Sequence, residues 1–175
     1  MSNNSISNDI ELCLRTLVGI RLRRIRRMAA TVCIGFGDLI KKDTNRKSLV
    51  VEVPKYAMHI ECAFRIVSES DIILGNLDIF SENSKTQWSE SFDWDVSGAN
   101  LFDEKTTAIT TLASTVEITI LNVQATSFGD LEILLSNGWT IQVFINDSSS
   151  YEAWSFFENR VDAGCFIVTG QGIGE

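Results

Sequence analysis

"SFGDLEILLSNGWTIQVF", residues 127–144, decides the architecture of this chain. Apolar and polar residues alternate on both sides of Asn137-Gly138, the pattern of two antiparallel strands with one buried face. Asn and Gly both tolerate positive φ, so the spacing predicts a type I′ hairpin turn at 137–138. The opening Phe-Gly-Asp-Leu recurs at Phe36–Leu39. Its flanks differ, Ile40-Lys41-Lys42 against Glu132-Ile133-Leu134, and share no burial pattern. The repeat is read as strand-to-turn chemistry used twice, with Gly taking the awkward φ, and not as an internal duplication.

Upstream, "YAMHIECAFRIV" at 56–67 alternates over a longer run. Tyr56, Met58, Ile60, Cys62, Phe64 and Ile66 fall on one face; His59, Glu61 and Arg65 fall on the other. The sole proline, Pro54, cannot donate to a central ladder and is expected to separate two strands or lie at an edge. Residues 20–36 read as extended chain with a break near Arg23–Arg27, and further strands are expected at Ile72–Leu74 and from Val116 through Ile118, Ile120 and Asn122. Two segments have helical spacing. Ser7 or Asn8 can cap a helix that places Ile10, Leu14 and Leu17 on one side and stops at Gly19. "NLFDEKTTAITTLAS" at 100–114 has Leu101, Ile109 and Leu112 as its stripe, and the aperiodic stretch 81–98 is a surface loop pinned by Trp88, Phe92 and Trp94. Together these elements make an α+β domain, with a mostly antiparallel sheet of about six to eight strands, an N-terminal helix and one further helix packed on it. One domain spans 1–175, with 1–8 as a flexible lead.

At 45% apolar residues the chain can bury a core without a metal or a disulfide. Cys13, Cys33, Cys62 and Cys165 are far apart and form no Cys-x-x-Cys pair, as expected for reduced structural thiols in a cytoplasmic protein. The polar, acidic N-terminus lacks the cationic start and apolar core of a secretory signal, and no apolar run approaches the roughly 20 residues that cross a bilayer. No membrane association is expected. A net charge of −8 disfavours nucleic acid as a partner. The charge is also segregated. "RLRRIRR" at 21–27 holds five of fifteen basic residues, and setting those five aside leaves −13 on the remainder. Glu69, Asp71, Asp78, Glu82, Glu90, Asp93, Asp95, Asp103 and Glu104 face only Lys85 within 69–104. The arginine run is expected to form ion pairs with that acidic surface, since it lacks an aromatic platform for stacking bases.

With His59 as the only histidine, any histidine-pair metal site or two-histidine acid–base mechanism is excluded, and a histidine-based triad is excluded anywhere but at His59. Gly-x-Ser-x-Gly, Gly-x-x-x-x-Gly-Lys and Gly-x-Gly-x-x-Gly are absent. "DWDVSGANLFDE" places Asp93, Asp95, Ser97, Gly98 and Glu104 at positions 1, 3, 5, 6 and 12 of a calcium loop. Trp94, Val96 and Asn100 contradict the loop's side-chain pattern, so an acidic surface loop is the plainer reading, and no cofactor or metal is assigned. His59, Glu61 and Arg65 could bind a carboxylate or phosphate as a strand-face cluster.

Three blocks, "YAMHIECAFRIV", "FGDLEILLSNGWTIQVFIND" and "YEAWSFFENRVDAGCFIVTGQG", together resemble a family of small uncharacterised bacterial proteins that carry similar blocks in this order over most of 28–172. The resemblance implies cytoplasmic proteins of the immunity type found beside secreted toxins. The matching polar positions are Arg65, Asp78 and Glu152, followed by Trp154; Phe64 stands where the family usually has Trp. The leading expectation is a non-catalytic protein that meets a protein partner through Asp93, Asp95, Asp103 and Glu104. The alternative is a small-molecule anion binder or modest enzyme using His59, Glu61 and Arg65, with Asp78, Glu152 and Trp154 nearby.

Overall fold

The computed structural model describes residues 4–44, 49–85, 91–160 and 163–174. Trp88 and Glu90 lie outside them. Helix α1 (Asn4–Leu14) continues as a 3-10 turn (Arg15–Leu17). The strands β1 (Leu22–Met28), β2 (Thr31–Thr44), β3 (Leu49–Ile60), β4 (Ala63–Val67) and β5 (Ile72–Gly75) follow. A 3-10 turn (Asn76–Phe80) and α2 (Leu101–Thr115) precede β6 (Ile120–Ala125), β7 (Leu131–Leu135) and β8 (Thr140–Phe144). The chain closes with β9 (Glu152–Glu158), β10 (Cys165–Thr169) and β11 (Gly172–Ile173). The class is α+β, as expected. The strands form two antiparallel sheets instead of one, ordered β1-β2-β3-β9-β10-β11 and β5-β4-β8-β7-β6.

The second sheet exists because the long alternating run turns a corner. Ile60 pairs with Trp154 in the first sheet, whereas Ala63 pairs with Phe144 in the second. Between them, the Glu61 and Cys62 N–H groups both donate to the Ala153 carbonyl, at 2.8 and 3.2 Å. The phase of alternation survives the corner, so Tyr56, Met58, Ile60, Cys62, Phe64 and Ile66 are all buried in one core. Trp154, Phe36, Ile133, Ile141 and Val143 join them from the two inner faces.

The helices pack on this body along the sheet edges. Glu11 Oε1 accepts from Ala125 N at 3.0 Å beside β6, and Thr110 Oγ1 accepts from Ile25 N at 3.4 Å beside β1. Arg21 Nη2 donates to the Ala113 carbonyl at 2.8 Å near the end of α2. These contacts occupy edge groups that would otherwise invite another strand. Helix α1 begins at Asn4, ahead of the expected Ser7 or Asn8 cap, and buries Ile10, Leu14 and Leu17 as its spacing requires. Helix α2 buries Phe102, Thr106, Ile109 and Ala113, so its inward stripe is rotated from the expected one and leaves Leu112 exposed.

Local departures from the sequence reading have identifiable causes. The arginine run is continuous strand and not a break: a bulge between Leu22 and Arg24 shifts the register, which lets Leu22 and Ile25 both point inward. The chain reverses after Met28, with Ala29 at φ 50°. Pro54 does not separate strands; β3 runs through it. Its carbonyl accepts from Asn159 Nδ2 at 2.9 Å on the side where β9 pairing has ended at Tyr56–Glu158, so the missing N–H leaves no ladder bond unmade. The β7–β8 turn is not type I′. Among the described non-glycine residues only Ala29 has positive φ, whereas Gly138 sits at 83°. Gly138 N donates to Leu135 O at 3.1 Å, and Leu135 N donates to Trp139 O at 2.8 Å. This is a three-residue loop closed by a left-handed glycine. The two Phe-Gly-Asp-Leu copies share only that glycine chemistry. Gly37 (φ 81°) lies within β2 at its register shift against β3, and Gly129 (φ 92°) lies in the β6–β7 turn. Phe36 is buried and Phe128 exposed.

No helix among the described residues is long and apolar enough to cross a membrane.

Candidate functional site

The acidic segment folds into one structural unit. The Asp78 carboxylate caps the 3-10 turn by accepting from Gly75 N at 3.0 Å, and also holds Lys105 Nζ at 2.9 Å. A 3-10 helix eclipses residues three apart, which puts Leu77 and Phe80 together; they are 69% and 51% exposed. Phe80 meets Trp94 edge to face with ring centroids 5.1 Å apart. The loop after it is tied back through Leu101 N to Ser81 O (2.8 Å) and Asn83 N to Ala99 O (3.0 Å). Asn100, the residue out of place for a calcium loop, is the fully buried cap of α2: its Oδ1 accepts from Asp103 N and its Nδ2 donates to Trp94 O, each at 2.8 Å.

The four carboxylates assigned to partner binding divide into two kinds. Asp103 is structural. It grips Arg27 with both oxygens, Nε to Oδ1 at 2.9 Å and Nη2 to Oδ2 at 3.0 Å, and Oδ2 also accepts from Gly98 N at 2.8 Å. The side chains of Arg27 and Asp103 are only 7% and 18% exposed. Asp95 lies 3.4 Å from Arg27 but is 62% exposed, and Asp93 is exposed with one oxygen on Asp95 N at 3.0 Å. Glu104 accepts from Ser84 Oγ and N at 2.5 and 2.7 Å, and these bonds hold its carboxyl below the usual range. The calcium-loop positions therefore serve different partners. Among the described residues no three His, Cys, Asp or Glu side chains are grouped as metal ligands.

The second expected cluster is dispersed. His59 lies on the outer face of the first sheet, edge-on to Phe157 at 4.9 Å, and Glu61 beyond it accepts from Thr31 Oγ1 at 2.6 Å. Arg65 belongs to the second sheet. There it donates to Gln142 Oε1 at 2.7 Å, Gln142 donates to Glu132 at 2.8 Å, and the guanidinium lies 5.3 Å from the Phe144 ring centre. Asp78 is occupied by Lys105, Glu152 is exposed at the start of β9, and Trp154 is core. Arg65, Asp78 and Glu152 thus form no common network.

Strand register supplies different neighbours for His59. Arg26, Cys33, His59 and Ser155 follow one another across β1, β2, β3 and β9, and the next outward row brings Arg24, Gly35 and Ala57. The alternation of Arg24 and Arg26 was a usable signal, but the strand order needed to place them beside His59 was not. Burial pushes Cys33 up from its usual thiol range and Cys62 up to about 12, so neither is a ready thiolate. Burial chiefly pushes the His59 imidazole below its ordinary value; Glu152 and Glu61 oppose this and Arg26 reinforces it. An imidazole that is harder to protonate when folded costs stability as pH falls through the unfolded-chain value of 6.5. Urea midpoints should therefore drop between pH 7.5 and 5.5 by more in the wild type than in His59→Phe; equal drops would contradict this placement.

Comparison of the chain with protein-family models, curated proteins and solved structures finds no match.

Proposed function

We propose that this is a non-catalytic binding protein, of the cytoplasmic immunity type, that engages a basic protein partner through the 3-10 turn at 76–80 and the loop at 91–98. The observation that carries the reading is an exposed apolar pair, Leu77 and Phe80, with Phe80 against Trp94 in the loop that also carries the exposed Asp93 and Asp95. Aromatic anchors with a charged rim are the usual composition of an interface centre. The net charge of −8 adds long-range attraction for a cationic partner. Asp103 is not part of the contact surface in this reading, because Arg27 already holds it.

The test is capture of partners on immobilised protein, followed by affinity measurement on whatever single protein is retained. Phe80→Ala should weaken that complex roughly 30-fold, the ~2 kcal/mol of an aromatic hot spot. Asp93→Asn with Asp95→Asn should slow association and flatten its dependence on salt. A complex indifferent to both changes would remove this surface from consideration.

A further inference from the structure

The strongest unexplained chemistry lies on the outer face of the six-stranded sheet. Arg24 and Arg26 alternate along β1 and so project from the same face, with His59 in the Arg26 row. Among the described residues no carboxylate lies within 4.0 Å of either arginine, although Arg27 next to them has two. Arg24 is half-buried, and burial together with the charges of Arg26 and Arg23 makes its protonated form less favourable than usual. Two neighbouring cations with no directly paired carboxylate repel each other, with Glu61 and Glu152 acting only at longer range on His59, and an anion between the cations reverses the sign of that interaction.

The space between them has the size for such an anion. A cavity of about 60 Å³ is lined by Arg24, Arg26, Cys33, His59, Pro54 and Asn159, among others. That is several times the roughly 10–15 Å³ a cavity needs to admit a single water, so a small polyatomic anion can enter. Its wall is built. A Cβ at Gly35 would lie 2.4 Å from Pro54 Cγ and 3.4 Å from Arg24 Cγ, so glycine lets the proline and the arginine stem close over the sheet. Asn159 then fixes that wall, donating to Pro54 O at 2.9 Å and accepting from Lys42 Nζ at 3.1 Å.

We propose that Arg24, Arg26 and His59 form a binding site for a tetrahedral oxyanion of the phosphate class, either free or as the end group of a small phosphate ester. The guanidinium groups supply forked donors and charge, and the imidazole supplies a further N–H. The site adjoins the acidic loop, since Arg26 also lines the larger cavity bordered by Asp95 and Asp103, but it needs no protein partner.

The test uses the full-length protein at constant ionic strength, with chloride exchanged for inorganic phosphate, glycerol 3-phosphate or acetate. A phosphate dissociation constant near ~1 mM would raise Tm by about 3–5 °C at ~10 mM. Arg24→Gln and Arg26→Gln should each weaken binding at least tenfold by calorimetry while circular dichroism shows a folded chain. Arg65→Gln, on the other sheet, should leave it unchanged. A response to glycerol 3-phosphate as strong as that to phosphate assigns an ester end group, and a response to phosphate alone assigns the free anion. No shift beyond chloride, an equal shift with acetate, or a shift that both arginine variants retain would overturn the site.

Discussion

Asp103→Ala should destabilise the protein by about 3 kcal/mol, more than any other single charge removal in the acidic segment. The Arg27 guanidinium it would leave behind is 7% exposed and already lodged between α2, the 95–98 loop and the carbonyl of Ala29. Removing one partner of a nearly dry, two-pronged pair strands the other in a medium that solvates it poorly. The loss stays at the lower end of the range for such pairs because Asp95, 3.4 Å away, remains as a weaker counter-charge. Chemical denaturation of Asp103→Ala, Arg27→Met and the double variant measures this directly. The double variant should recover much of the loss, and a fully additive cycle would show that the pair is not coupled. The result governs how binding is tested: a variant that neutralises Asp93, Asp95, Asp103 and Glu104 together would lose binding through a loosened α2 whether or not the surface touches a partner.

The second large effect belongs to Trp154. Its side chain is fully buried, and its indole Nε1 donates to the Gly129 carbonyl at 2.9 Å, joining β9 of the first sheet to the β6–β7 turn of the second. Trp154→Ala should cost about 4 kcal/mol from lost contacts and the cavity left behind, a fall in Tm of about 8–16 °C. Trp154→Phe keeps much of the volume but leaves the buried carbonyl unpaired, for about 1–3 kcal/mol. The surroundings cannot collapse easily. A Cβ at Gly129 would stand 2.8 Å from both Ile145 Cδ1 and Val168 Cγ1, so backbone and side chains are already in contact there. A Trp154→Ala loss below about 2 kcal/mol would mean that the two sheets are tied elsewhere.

These two residues also mark what could be read in advance. The inward positions from Tyr56 to Ile66 were legible because burial follows a period of two, and that period persists through the corner at Glu61-Cys62. The same persistence is why the outward residues misled: His59 and Arg65 are in phase but belong to different sheets, and periodicity carries no information about which sheet a strand joins. Ion pairing between the arginine run and the acidic segment was legible in kind. That, among the described residues, Arg27 is the one arginine of the run to make such pairs depends on the bulge between Leu22 and Arg24, which follows from three-dimensional register. The Phe80–Trp94 contact and the Arg24–Arg26–His59 surface join residues far apart in sequence, beyond any local pattern.

The place of β9 bears on how the chain is made. It lies between β3 and β10, so one edge of β3 has no partner until residues 152–158 have left the ribosome, although β1, β2 and β3 form a continuous meander from residue 22. During synthesis the nascent chain carries an unpaired strand whose inward side chains, Met58 and Ile60, await Trp154 and Phe156. This is the interval in which a holding chaperone has the most to protect.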